Sequence, residues 1–153
     1  MKYSSKLSDA MHILAFIQIQ REHPDNTLPP RLTSQAIATS LHTNPSFVRQ
    51  IMMKLRSAGL LLSEQGTANP RLGRPASEIS LCDVYRAVEG NKPLLHLDKH
   101  INEQCDVGVH IQLALQDYYD EIQHIAEAKM KSIFLSDVIQ SYYKRVPSQS
   151  LPI

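Results

Sequence analysis

The sequence predicts a mainly α-helical protein with one small β-hairpin, ordered as a helix-turn-helix, a wing and a long C-terminal helix. Three observations carry that prediction. Apolar residues recur at helical spacing in three successive segments before Gly59, and two short strand-like runs follow. Further on, Ile111, Leu115, Tyr118, Ile122 and Ile125 alternate in steps of four and three, the heptad spacing of a helix that packs on another helix. Charge is also divided unevenly. Residues 31–74 hold six basic residues and one acid, Glu64, for a net +5, whereas residues 75–153 carry −4 and residues 1–30 balance.

Taken in order, the first helix runs from Ser8, its expected cap, to about Glu22, with Ala10, Ile13, Leu14 and Ile17 on one face. "HPDNTLPP", with three prolines and an Asp-Asn pair, breaks it. "LTSQAIATSL" is a short second helix capped by Thr33 or Ser34, with Ile37 and Leu41 facing inward. "HTN" is a tight turn. Asn44 caps the third helix, and Pro45 takes the first position, where a missing N–H costs nothing. Val48, Ile51, Met52 and Leu55 form its buried stripe, and Gly59 supplies a left-handed stop. "LLLSE", the turn "QGTANP" and "RLGRP" then read as a two-stranded hairpin.

Ser80 opens a fourth helix, with Asp83 three residues on as a capping box, Leu81, Val84, Tyr85 and Val88 on one face, and Gly90 at the end. Residues 91–108 are loop-like. The long helix spans about Gly108 to Ser132, with Lys129 out of its heptad register, and a last short helix starts at Ser136. These elements divide the chain into a winged-helix domain at 1–78, a linking helix and loop at 79–107, a dimerisation helix with the short terminal helix at 108–143, and a disordered tail at 144–153.

The bulk properties bound the function. The 153 residues suit one domain, or a small domain with an arm. No apolar run approaches the ~20 residues that span a bilayer, and "AMHILAFI" reads as a core helix, so no membrane association is expected. Two distant cysteines, Cys82 and Cys105, make no disulfide framework and fit a reducing cytoplasm. No Gly-rich phosphate loop, nucleophile motif or paired carboxylates suggest an enzyme, and Asp117, Asp120 and Glu121 read as the solvated face of the long helix.

The basic segment contains the third helix, whose outward face offers Ser46, Arg49, Gln50, Met53 and Lys54 and no acid. A helix in the major groove brings such side chains to base edges, where Arg suits guanine and Gln suits adenine. Ser46 and the helix N-terminus suit a phosphate, and Met53 is equally open to a packing role beside Met52. The candidate DNA contacts are therefore Thr33, Ser34 and Asn44 at the helix starts, with Ser46, Phe47, Arg49, Gln50, Met53, Lys54 and Arg56 on the third helix. Gln65, Thr67 and Arg71 are candidates in the wing, near Gly66, Asn69 and Arg74. The alternative is a winged-helix module that uses this face on a protein partner without binding DNA.

These motifs together resemble the Rrf2 family of bacterial winged-helix transcription regulators. "KYSSKLSDAMHILAFI" is similar to that family's opening helix, and "LTSQAIATSLHTNPSFVRQIMMKLRSAGLL" to its helix-turn-helix. "ISLCDVYRAVEG" resembles its linking helix, and "CDVGVHIQLALQDYYDEI" the start of its dimerisation helix. The resemblance covers about residues 2–140 and implies a homodimer that binds a roughly palindromic promoter site, most often as a repressor. The dimer would form through the stripe from Ile111 to Ile125.

Two departures stand out. Several members carry an iron–sulfur cluster on three cysteines in the loop before the dimerisation helix, and here that loop has Cys105 alone, so no such cluster and no other metal is expected. The wing has "EQGTANPRL" where the family often has an arginine and a glycine-rich tip. His96, His100, Cys105 and His110 are metal-ligand residue types without a zinc spacing, and they read as polar loop residues. Cys105 is a candidate redox sensor, and an unknown small molecule is the other effector class. Cys82, in an apolar helix, reads as structural.

Overall fold

A computed structural model describes residues 4–23, 32–63 and 69–146. Helix α1 spans Lys6–Glu22, α2 Ser34–Leu41 and α3 Pro45–Ser57. Strands β1 (Leu61–Leu62) and β2 (Arg71–Leu72) pair antiparallel, with Leu61 opposite Leu72 and Leu62 opposite Arg71. A 3-10 turn at Ala76–Glu78 leads to α4 (Leu81–Glu89), then a loop, α5 (Asp106–Lys131) and α6 (Leu135–Arg145). The winged helix-turn-helix expected from the sequence is present. No helix among the described residues is long and apolar enough to cross a membrane.

Local chemistry sets most of the boundaries. Thr33 Oγ1 accepts the Ala36 N–H at 3.1 Å and caps α2. Asn44 Oδ1 accepts the Phe47 N–H at 2.9 Å and caps α3, with Pro45 at its start. Between them His42 takes the left-handed conformation (φ 54°, ψ 47°), unusual for a residue with a Cβ, and this sets the turn from α2 into α3. Ser80 and Asp83 form the reciprocal capping box at α4. Gly59, at φ +74°, lets the chain leave α3 and enter β1.

The core lies between α1, α2, α3 and α4. Ala10, Ile13, Leu14 and Ile17 meet Ile37, Ala38, Val48, Ile51, Met52 and Leu55 there, all buried. Leu60 and Leu61 bring the start of the hairpin onto the same core.

Four boundaries differ from the sequence reading. Helix α1 begins a turn early, at Lys6, with Ser5 as its cap residue, because Leu7 finds packing partners; Ser8 lies inside it. Helix α5 begins at Asp106, two residues before the expected Gly108, with Cys105 as its cap, and ends at Lys131 with Ser132 as its C-cap, as expected. The last helix begins at Leu135 and not Ser136, with Phe134 as its cap and Asp137 accepting the Phe134 N–H. Lys144 and Arg145 belong to it and not to a tail, and residues 147–153 lie outside the described residues.

The last helix is also not an appendage of α5. The Leu135 N–H donates to the Ile79 carbonyl at 2.8 Å, and the Leu81 N–H donates to the Ile133 carbonyl at 2.7 Å. Those bonds seat α6 on the winged-helix core, where Leu135 and Ile139 are buried.

Candidate nucleic-acid interface

The buried stripe of α3 fixes which side chains it can offer. With Val48, Ile51, Met52 and Leu55 turned inward, Ser46, Arg49, Gln50 and Met53 occupy the opposite face, one above another at steps of three and four. All four are exposed, Met53 at 58%. Arg49 Nη2 donates to Ser46 Oγ at 3.2 Å, which lays the guanidinium along the first turn of the helix. Helix α3 contains no acid, so a polyanion meets no repulsion from it. A helix with its side chains is about 10–12 Å across, the width of the major groove.

The helix starts are partly committed. Thr33 and Asn44, both exposed, use a side-chain oxygen for capping, which leaves the Thr33 hydroxyl proton and the Asn44 amide N–H groups as donors. Ser34, the first residue of α2, is half-buried, and Phe47 packs partly against the core.

Two of the expected basic contacts have partners within the protein. Lys54 Nζ lies 3.4 Å from the Val88 carbonyl of α4, and Arg56 Nη1 donates to Ser63 Oγ at 2.8 Å. In the wing, Arg71 is exposed on β2, beside the half-exposed Leu62 of β1. Arg74 pairs with Asp83 at 3.5 Å, and the Asn69 side chain accepts from Arg21 at 2.6 Å. Gln65, Gly66 and Thr67 lie outside the described residues.

Sequence reasoning missed Arg21 and Gly73. Arg21 sits in the last turn of α1, 48 residues from Asn69, and no local pattern signals the bond. A Cβ on Gly73 would stand 2.1 Å from the Gly59 carbonyl oxygen, so β2 crosses the exit of α3 at a distance only glycine permits.

The second surface is on α5. Ala126 and Met130 turn toward Cys82 and Tyr85 of α4. The heptad residues face away: Ile111 is 52% exposed, Tyr118 65%, Ile122 46% and Ile125 65%, with Leu115 half-buried. At the start of α5, Cys105 is exposed, its Sγ 3.5 Å from the Gly108 N–H.

A three-thiolate iron–sulfur cluster does not fit this donor set. The chain has two cysteines, and Cys82 is buried between Tyr85 and Met130. His96 and His100 are exposed, His110 Nδ1 is held 2.7 Å from the Asp106 carbonyl, and no three His, Cys, Asp or Glu among the described residues converge on one point.

An exposed recognition helix beside an antiparallel hairpin, here the acid-free α3, is the means by which winged-helix proteins enter DNA, and the fold assigns this chain to that class. The family model of Rrf2, described as iron-dependent transcriptional regulators, matches residues 3–141. YwnA of Bacillus subtilis strain 168, a candidate HTH-type transcriptional regulator, is 32% identical over 140 residues, covering 92% of this chain and 98% of YwnA. A crystal structure of a candidate DNA-binding protein, also 32% identical, superposes with a TM-score of 0.68 over 88% of this chain and 99% of that one. CymR, the global cysteine regulator of B. subtilis, shares the fold at 20% identity with a TM-score of 0.62, over 92% of this chain and 97% of CymR. The chain belongs to the Rrf2 family and is a DNA-binding transcription regulator.

Proposed function

We propose that the protein represses transcription in the cytoplasm as a homodimer. Each protomer lays α3 in the major groove of one half of a promoter site and its wing along the adjacent backbone. The observation that carries the DNA-facing part is the exposed run of Ser46, Arg49, Gln50 and Met53 on an acid-free helix. Arg49 and Gln50 read base edges, and the free donors of Asn44 and Thr33 take phosphates. Repression follows from occupancy, because a dimer seated on a promoter excludes polymerase.

Fluorescence anisotropy on the duplex upstream of the protein's own gene, against a random duplex of equal length, tests this. Affinity should prefer the upstream duplex, and its logarithm should fall linearly with log salt because counterions released from the DNA drive binding. Arg49→Ala should cost about 1–3 kcal/mol at the specific site. Binding that ignores salt, or an unaffected Arg49→Ala variant, would favour a protein partner for this face.

The dimer forms through the α5 stripe, which leaves four large apolar side chains at 46–65% exposure in the single chain. Ile122→Glu places a charge in the middle of that stripe and should convert a sedimenting dimer to a monomer that remains helical. A dimer that survives the substitution would place the interface elsewhere.

The protein carries no three-thiolate cluster and performs no catalysis. Stoichiometric iron and sulfide in anaerobically purified protein would overturn the first statement. Cys105, the exposed thiol, is where an oxidant would act. If it is the sensor, Cys105→Ser abolishes a peroxide response in DNA binding; an unchanged response removes it from that role.

A further inference from the structure

The hairpin is too short to hold its own direction. It has two residue pairs, Leu61 with Leu72 and Leu62 with Arg71, and an isolated two-stranded hairpin is marginal in water. Leu61 fixes the root of β1 in the core, but Leu72 is only partly buried. A bond from the Gly73 N–H to the Leu60 carbonyl at 3.0 Å ties the arms at their root, and toward its outer end each arm is held by an arginine from a different helix.

On the outgoing arm, Arg56 of α3 donates from Nη1 to Ser63 Oγ at 2.8 Å. On the returning arm, Arg21 of α1 donates from Nη1 to Asn69 Oδ1 at 2.6 Å and to the Pro70 carbonyl at 3.3 Å. Proline has no N–H to donate to a strand ladder, and the Arg21 bond attaches Pro70 through its carbonyl instead. The guanidinium is a planar, rigid array of donors, which fixes direction as well as distance. Both holds fall just outside residues 64–68, on the last and first described residues of the two arms. The helices that supply them pack on each other through one core, which includes Ile13, Ile17 and Leu55.

We infer that Arg21 and Arg56 are wing-positioning residues, which set the hairpin's angle to the base-reading face of α3 without themselves contacting DNA. Their acceptors are neutral and lie within the protein, so the bonds described for each arginine, made from Nη1 of a five-donor guanidinium, hold the wing. The wing and α3 must engage one duplex together, and a recognition constellation tolerates errors of only about 0.5 Å or 10–20°. This inference rests on reading α3 and the wing as the DNA-facing surface.

A pair of double-mutant cycles tests it, with affinity for the upstream duplex measured across a salt series. One cycle combines Arg21→Gln with Asn69→Ala, and the other combines Arg56→Gln with Ser63→Ala. Asn69→Ala and Ser63→Ala change no charge. Each should nevertheless weaken binding roughly tenfold, as its arginine variant does. Each double variant should be no weaker than its worse single, and the slope of log affinity against log salt should remain that of the parent. Arg21→Lys keeps the charge, loses the fork, and should behave as Arg21→Gln; it carries the test if the glutamine variant does not fold.

Silent Asn69→Ala and Ser63→Ala variants, with arginine variants that weaken binding and lower the salt slope by about one each, would make the arginines direct phosphate contacts and overturn the inference. Parent-like binding by all of them would also overturn it, since the wing's angle would not matter. Arg49→Ala run alongside separates that failure from a failure of the DNA-facing reading, because it loses affinity in the former case and not in the latter.

Discussion

Helices α3 and α5 carry apolar stripes at nearly the same spacing, yet one stripe is hidden and the other is exposed. In α3, Val48, Ile51, Met52 and Leu55 are all below 7% exposed. In α5, a helix twice as long, Met130 is the one buried residue. The difference lies in what surrounds them: α3 is enclosed by α1, α2, α4 and β1, while α5 is met mainly by α4. Periodicity states that a face wants cover, and only tertiary contacts state whether the same chain supplies it. The winged-helix half covers the apolar stripe of α3, and α5 leaves its own uncovered in the single chain.

The largest expected effect follows from that contrast. Leu55 is fully buried, and Leu55→Ala should cost about 2–5 kcal/mol in urea unfolding at every protein concentration. Ile125 is 65% exposed, and Ile125→Ala should fall within about 0.5 kcal/mol in dilute protein. It should lower stability only at concentrations where chains associate. Equal, concentration-independent losses at the two sites would break the comparison.

Glycines give the next, smaller effect. Gly73→Ala drives a Cβ into the Gly59 carbonyl oxygen, backbone against backbone, and should cost about 1–3 kcal/mol while displacing β2. Gly108, in the first turn of α5, has no neighbour closer than the Cys105 side chain at 3.8 Å. Gly108→Ala should therefore be neutral or add up to about 1 kcal/mol, since alanine loses less backbone entropy in a helix. Thermal melts of the two variants decide this, and a stable Gly73→Ala protein would show that the hairpin moves freely on α3.

Local features of the fold were legible in the sequence. The Asn44 cap, Pro45, the α3 stripe and the Ser80–Asp83 box each involve residues within a few positions of one another, so hydrogen bonding and helical periodicity announce them directly. The face holding Ser46, Arg49 and Gln50 was legible for the same reason, being the complement of the buried stripe. What escaped depends on residues far apart. Leu135 reaches Ile79, Arg21 reaches Asn69, and Gly73 passes Gly59 only because the chain has already folded. The partners of Lys54 and Arg56 escaped likewise: a basic residue on an exposed helix looks the same in sequence whether it meets a phosphate, the Val88 carbonyl or the Ser63 hydroxyl.

The smallest expected effect tests whether α6 belongs energetically to the winged-helix half. Tyr143, near the end of α6, places its hydroxyl 3.3 Å from Glu22 Oε2 at the end of α1, with His23 and Tyr142 edge-on to its ring at 5.7 and 5.1 Å. Partial burial, and then the Glu22 carboxylate, disfavour the phenolate and raise the Tyr143 pKa above its ordinary value of 10.0. The folded protein therefore keeps a proton that the unfolded chain has released, and stability falls as pH rises from about 10 through the folded-state pKa. Below that window the contribution is fully present. Tyr143→Phe has no proton to lose, so its melting temperature should decline less between pH 9 and pH 11 than the parent's. Glu22→Gln should flatten the decline only in part, because burial, the larger cause, remains. Parallel declines in parent and Tyr143→Phe would mean that the end of α6 is not held against α1 in solution, and that the winged-helix half closes without it.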